Sequence, residues 1–589
     1  MSGNIQNIRT WNNAYKERED LAQFGSAGLA LFAMALKFGY DDLVTIGADA
    51  VVDGPDDKGC DAVYVDFDLR IAIIAQSYYA ERLNAQARDG KAATLRQAAS
   101  WLLEVEIGQV PDRLKASAEL LRSAVQDGSI DRVYVWFVHN CPSSINVSRE
   151  MKAIQQTVNA ILSSQYKEKS ISVIGEEIST DNLEKLYTDT STPILVTDNI
   201  IFNSVPGLFF EEEDWKYLVI PISVKKLRDL YKKYNTNLFS ANVRDFLGVK
   251  AGDSNINYQM QKTLEESPNN FFIYNNGLTI LTHKIEQIRE GDGKTKVIVS
   301  GISIVNGAQT TGTIGTSDNE PSDDSYVLAR FISTNNEDLI SDVVRYNNSQ
   351  NAVTASDFRS TDPIQRRLVG EMKAIPDAEY DGGRRGGISA AIKRRPKLLP
   401  SYSVGQALAS LHGAPTIAYN EKSAIWSRDV LYSRFFNDQL TAKHIVFAYA
   451  LLRCVENEKN DLRTKEESGG ELTRAEKEKL VFYRKRGSVF LLVAAVGECL
   501  ETIIDKPIPN KFLLRFGERI SPEQAVQLWK PTVEALSGLH IHLDKALTDG
   551  LKNQERISDN LKAFSQLVAT LKGPYASFFE SIKDNIKIN

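Results

Sequence analysis

The stretch VVDGPDDKGCDAVYVDFDLRIAIIAQSYY, residues 51–79, decides how the rest of the chain is read. An acidic turn containing Gly and Pro runs into two short apolar runs, AVYVD from Ala62 and IAIIAQ ending at Gln76, and such punctuation marks a pair of strands. Asp61 opens the first strand and Gln76 closes the second, so adjacent strand ends can bring a carboxylate and an amide oxygen side by side. Hard divalent cations need convergent oxygen ligands. A cation held there polarises a phosphodiester and lowers the pKa of an attacking water. Asp61 and Gln76 are therefore the candidate metal ligands, with Mg²⁺ as the cofactor and Mn²⁺ as its substitute. The scheme requires both side chains on one side of the sheet and within the span of a single ion. Against it stands a plainer reading, in which the acidic turn is a solvated hairpin and Gln76 an ordinary strand residue.

Working outward, residues 14–38 carry a helical apolar face that includes Leu29, Leu31, Phe32 and Leu36. LVTIGADAVV reads as a β-like run before the acidic turn. Helices are expected over 92–125, a strand in DRVYVWFVHN from Asp131, a helix over 148–163, and a strand in SISVIG. The order α-β-β-β-α-β resembles the restriction-endonuclease-like core. The turn and strand also resemble the Mrr-like branch of the PD-(D/E)xK nucleases, where DxGID is followed by QxK. That resemblance matches Asp57 and Asp61 to the two aspartates and Gln76 to the glutamine, and puts Tyr78 in the lysine's place. A phenol with an ordinary pKa of about 10 is neutral at pH 7 and cannot supply the missing charge. Three readings stay open: Arg82, Lys91 or Lys58 fills the vacancy in space; Tyr78 orients the water; or the domain is a degenerate nuclease that binds without cutting. A carboxylate of the first helix (Glu17, Glu19 or Asp20) is a candidate further ligand.

The middle of the chain is rich in Asn and Gly. NLFSANVRDFLGVK, FFIYNNGLTIL, GISIVNGAQTTGTI, YNNSQNAVTASDFRSTDPIQRRL and YDGGRRGG follow one another between about residues 235 and 387. Together these segments resemble the AIPR (abortive infection phage resistance) domain. The resemblance implies an antiphage defence protein, with a phage component or trigger as a partner. Asn275, Asn276, Asn306, Gln309, Asn347 and Gln350 offer amide donors and acceptors at turns and strand ends. Arg244, Arg330, Arg384 and Arg385 offer charge-assisted contacts to phosphate. The basic run RRGGISAAIKRRPK, which also holds Arg394 and Arg395, is a candidate nucleic-acid contact. Two plainer readings compete: Asn-Asn-Gly is a common hairpin signal, and VNGAQTT suits a strand-to-helix junction capped by Thr310 or Thr311. No GxxxxGK[ST] loop is present, which argues against a P-loop ATPase.

At 589 residues the chain is too long for one core. The reading is three domains: a nuclease-like α/β domain over 1–190, a mixed α/β AIPR core over 195–400, and a helical C-terminal domain over 401–589. Apolar runs near 445–452 and 489–504 suit buried helices for packing or self-association, and a homo-oligomer is expected. The charged stretch 456–479 reads as a solvated connection or an exposed helix-loop-helix. Hydrophobic residues at 42% and charged residues at 25% fit a folded protein, and a net charge of -6 neither advertises nor excludes nucleic acid. No apolar run approaches the roughly 18 residues that a membrane span needs. The polar N-terminus lacks a secretory signal, and the four scattered cysteines and six histidines form no zinc motif, so a cytoplasmic location is expected.

Overall fold

The computed structural model describes residues 10–40, 42–54, 56–81, 89–166, 171–191, 194, 196–203, 207–234, 238, 262–289, 295–316, 321–322, 324–334, 336, 339–340, 343, 359, 362–382 and 397–588. It contains two compact units, one formed by Met1–Glu184 with Thr354–Asn589 and the other by Lys185–Val353. The protein is a mixed α/β multidomain molecule.

In the first unit, β1 (Ala62–Asp66), β2 (Ile71–Tyr78), β3 (Arg132–His139) and β4 (Ser172–Ile178) form one sheet in sequence order. β1 runs antiparallel to β2, whereas β2, β3 and β4 are parallel. β3 is buried along its whole length, as a parallel strand covered on both faces should be. Val133, Val135 and Phe137 point into a core shared with the helices Asp89–Leu103, Asp112–Gln126 and Ile145–Gln165. Tyr134 and Trp136 point to the opposite face, where Phe38 of the Ala27–Phe38 helix lies on Trp136 with ring centroids 5.6 Å apart.

One expected strand is a helix. LVTIGADAVV forms a helix over Leu43–Ala50, which Asp42 starts by accepting from Thr45 N at 3.2 Å. The β-branched Val44, Thr45 and Ile46 carried the strand signal. The N-cap and the burial of Leu43, Val44, Gly47 and Ala48 on one side of the helix outweigh it. The element order is therefore helices, then β1 and β2, rather than three consecutive strands.

The C-terminal part of this unit is helical. Ser401–Leu411 is buried throughout, and nearly all of Ser488–Glu498 is too. The long Ala442–Glu467 helix starts at a Thr441 cap. The charged stretch 456–479 is a helix end, a turn and the capping-box helix Arg474–Arg484, but it is not simply solvated, since Glu456, Asn460 and Arg463 are buried. Arg453 explains part of this. It donates to Glu456 Oε2 at 2.6 Å, to Thr45 Oγ1 at 3.0 Å and to Asp42, tying the long helix to the helix that precedes the acidic turn.

The second unit is built on a seven-stranded sheet of β5 (Val196–Asn203), β6 (Leu208–Glu211), β7 (Trp215–Ser223), β8 (Leu278–Thr282), β9 (Lys284–Arg289), β10 (Thr295–Asn306) and β11 (Tyr326–Thr334). Its order is β5-β10-β8-β11-β7-β6, with β9 beside β10. The helices Val224–Tyr234 and Ala308–Thr316 pack on each other. The expected strand NFFIYNNGLTIL begins only at Leu278, and Phe271–Tyr274 is a helical turn. Among the described residues, no helix is long and apolar enough to cross a membrane.

Candidate metal centre

The acidic turn crosses in front of β2. Asp61 donates its backbone N–H to the Ala75 carbonyl at 2.9 Å and accepts from Val52 N, also at 2.9 Å, so residues 51–53 fold back over the start of β1. Asp57 organises the tip: its Oδ1 accepts from Gly59 N at 2.7 Å and its Oδ2 from Gly54 N at 3.1 Å. Asp53 is fixed from the other side by Ser26 Oγ, 2.8 Å from its Oδ2. One carboxylate oxygen from each of Asp53, Asp57 and Asp61 lies within 4.8 Å of the other two. Oxygens on opposite sides of a Mg²⁺ ion, at about 2.1 Å each, stand about 4.2 Å apart, so the spacing suits one shared cation.

The electrostatics fit the same ligand. Asp61 is only 6% exposed, and burial, with the neighbouring Asp53 and Asp57 charges, pushes its carboxyl up to about 7. Asp57 is also raised, first by burial, with Asp53 adding repulsion against the hydrogen bonds from Gly59 and Gly54. The buried Asp61 carboxyl, with the raised Asp57 beside it, favours either protonation or a cation. Their hard oxygen donors suit Mg²⁺ or Mn²⁺, and Asp53, Asp57 and Asp61 are the residues that would hold one.

The predicted residues divide. Asp61 and Asp57 come together, joined by Asp53, which the motif comparison passed over. Gln76 is drawn elsewhere: its Oε1 accepts from Thr94 Oγ1 at 3.1 Å on the Asp89–Leu103 helix. Asp61 Oδ2 instead meets Ser77 N at 2.7 Å and Ser77 Oγ at 2.9 Å. Gln76 and Ser77 are successive strand residues and so project from opposite faces of β2. Gln76 nevertheless stays beside the turn, because a Cβ on Gly59 would sit 2.5 Å from Thr94 Oγ1. Tyr78 is half-buried and packs on the core beneath the Asp89–Leu103 helix.

Lys58 pairs with Asp56, with its ammonium 4.8 Å above the Trp101 ring centre. Arg82 and the Lys91 side chain lie outside the described residues. In the first helices Arg18 grips Asp20 at 2.8 and 2.9 Å, and none of Glu17, Glu19 or Asp20 joins the three aspartates. The cation at the turn is Arg113, which donates to the carbonyls of Val52 and Asp53 and to the Glu466 carboxylate of the long C-terminal helix. A separate cavity of about 100 Å³, lined by Asp49, Tyr64, Tyr419 and Lys459 among others, includes none of the three aspartates.

In the second unit, Asn275 Oδ1 accepts from Gly277 N at 2.9 Å and its Nδ2 donates to Thr310 Oγ1 at 3.0 Å. VNGAQTT is the strand-to-helix junction, but the helix begins at Ala308, so Thr310 and Thr311 lie inside it and do not cap it. Asn276 is exposed and Asn306 half-buried at the end of β10. Arg330 donates to Thr279 Oγ1 at 2.6 Å. Arg244, Asn347, Gln350, Arg384, Arg385, Arg394 and Arg395 and the Gln309 side chain lie outside the described residues.

Residues 239–461 match the family model described as AIPR protein. The AIPR match takes in the Asn/Gly motifs and the basic run, and continues into the long helix that begins at Ala442. It stops short of Glu466, and the acidic turn lies wholly outside it. Comparison with curated proteins and with solved structures gave no match.

Proposed function

We propose that this is an antiphage, abortive-infection protein whose N-terminal domain is a Mg²⁺-dependent phosphodiesterase acting on nucleic acid. The AIPR match supports the defence role. The observation that carries the chemistry is the convergence of Asp53, Asp57 and Asp61 oxygens within 4.8 Å in a half-buried turn where the buried Asp61 carboxyl is raised. Bound there, the ion supplies Lewis acidity and an activated water. Asp53, Asp57 and Asp61 would hold it, and Ser77 and Ser26 aim two of these carboxylates. The α/β sheet supports the restriction-endonuclease-like reading of the domain.

The test is incubation of the full chain with plasmid, linear DNA and RNA in Mg²⁺, Mn²⁺ or EDTA, repeated with infected-cell extract to supply a trigger. The expected result is metal-dependent cleavage that falls by at least about a hundredfold in Asp61→Ala. Cleavage that persists in EDTA, or in Asp61→Ala, removes the proposal. A second reading, a nuclease-like domain that binds without cutting, draws on Tyr78 in the lysine position and on Lys58 being committed to Asp56 and Trp101. Metal-independent binding with no product in either condition favours it.

A further inference from the structure

The cavity of about 100 Å³ that stands apart from the acidic turn is walled by two distant parts of the chain. Two aromatic pairs form much of its wall. Tyr40 and Tyr64, from the N-terminal part, meet edge to face with ring centroids 5.6 Å apart. Tyr419 and Phe490, from the C-terminal helices, lie with centroids 5.9 Å apart. The exposed Asp49 and Asp68 belong to the same lining, so the cavity opens to solvent. A cavity of about 150 Å³ holds one benzene ring. This one, with its open mouth, takes no more than a single ring.

Most of the charges around it are already used. Asp42 and Glu456 both accept from Arg453, and Asp68 accepts from Ser423. Lys422 donates to Tyr64 Oη at 3.1 Å, and Lys485 pairs with Asp544 at 2.8 Å. Lys459, which lines the cavity from the Ala442–Glu467 helix, is the exception. Among the described residues it makes no hydrogen bond and no ion pair. It is half-buried, and its ammonium is not sealed from solvent, so a molecule entering the cavity can reach it. Burial pushes this ammonium down; Asp49 and Glu456 oppose that, while Arg463 and Arg484 add to it. A partly desolvated cation without a bonded carboxylate gains by taking an anion. One ammonium offsets one negative charge, and the nearby Asp49 and Glu456 disfavour a phosphate ester with nearly two. Aromatic walls favour a flat partner.

We propose that this cavity is a binding site for a small planar monoanion, a single aromatic ring bearing a carboxylate, with Lys459 as its counter-ion. The ring lies among the tyrosines and Phe490, and the carboxylate accepts from the Lys459 ammonium. The site is separate from the three aspartates, and its ligand is a small molecule rather than nucleic acid.

The experiment titrates the full-length protein with benzoate by calorimetry, beside benzamide, which is flat but neutral, and cyclohexanecarboxylate, which is charged but not flat. Benzoate should bind one to one, and each of the other two should bind at least about tenfold more weakly. Lys459→Met, which keeps the length of the side chain and removes the charge, should lose at least about tenfold in benzoate affinity. A second measurement needs no variant. Acetylation of Lys459 in the parent, read by mass spectrometry, should slow on saturation with benzoate and not with benzamide, while the exposed Lys562 reacts at the same rate throughout. If Lys459→Met does not fold, this protection decides. No benzoate binding by the parent, equal affinity for benzamide or cyclohexanecarboxylate, or unchanged benzoate affinity in a folded Lys459→Met overturns the proposal. Unaltered acetylation of Lys459 at saturating benzoate does so as well, and the cavity then serves only to admit the water that solvates the ammonium.

Discussion

The acidic turn at residues 53–61 and the Asn/Gly junction at residues 275–307 are both polar loops at strand ends, but their side chains are used in opposite ways. At the junction the chain satisfies itself. Asn275 spends its oxygen on Gly277 and its amide on Thr310, stitching the start of β8 to the helix that follows β10. In the turn, two glycine N–H groups and two serines serve three carboxylates that still repel one another. A polar residue type does not reveal chemistry; the balance of its partners does. On that measure the Asn-Gly motif at Asn275 is structural, although it lies within the AIPR match, and the imbalance sits outside that match.

The largest effect that would sharpen this contrast is on stability at neutral pH. Asp61 has a folded-state pKa of about 7 against 3.8 for the free group, a difference worth at most about 4 kcal/mol. Because the folded state prefers the protonated form, Asp61's contribution is complete below about pH 4 and is lost as pH rises through 7. Asp61→Asn keeps an oxygen to accept from Ser77 and cannot ionise. In EDTA the variant should therefore gain on the parent progressively between about pH 4 and 7, with a flat gap above, as read by urea unfolding at several pH values. A gap independent of pH would mean that the turn is not electrostatically strained.

The junction should answer to shape instead. Gly307 has φ +104°, and a Cβ there would fall 2.2 Å from Leu278 Cδ2. Gly307→Ala should cost about 2–4 kcal/mol from backbone strain and overpacking together, seen as faster hydrogen exchange in β8 and β10. Asn275→Ala, removing two hydrogen bonds at a half-buried site, should cost about 1–2 kcal/mol, with no change in Mn²⁺ binding.

How much of this was legible in the sequence follows from where each signal sits. β1, β2 and β3 are uninterrupted apolar runs, and they fold where the runs lie. Leu43–Ala50 misled because its β-branched residues are local, while the Asp42 cap and the packing of Gly47 against Phe24 depend on context. Asp57 and Asp61 were visible through their motif spacing. Asp53 stands four residues before Asp57, as Asp57 stands before Asp61, and that even spacing in DGPDDKGCD was the available sign. The alliance of Gln76 with Thr94, and of Lys58 with Trp101, depends on helix placement across the sheet and has no sequence signature. Arg113 is further still from local reading, since its partners Asp53 and Glu466 lie far from it along the chain.

The smallest predicted effect asks whether the imbalance in the turn serves a cation. A ligand that binds only the folded protein stabilises it by RT ln(1 + [L]/Kd), about 1.4 kcal/mol at ten times Kd. Mg²⁺ must displace the proton that Asp61 holds below about pH 7, so its stabilisation should be small at pH 5.5 and reach its full value by pH 8. The Asn275→Ala protein should respond as the parent does. Asp61→Asn, which is already relieved of the repulsion and has lost a charged ligand, should respond weakly at both pH values. Equal Mg²⁺ stabilisation of the parent and Asp61→Asn would place the ion elsewhere in the molecule. The raised carboxyl would then be only a cost that the fold carries, and the two loops would differ in degree rather than in purpose.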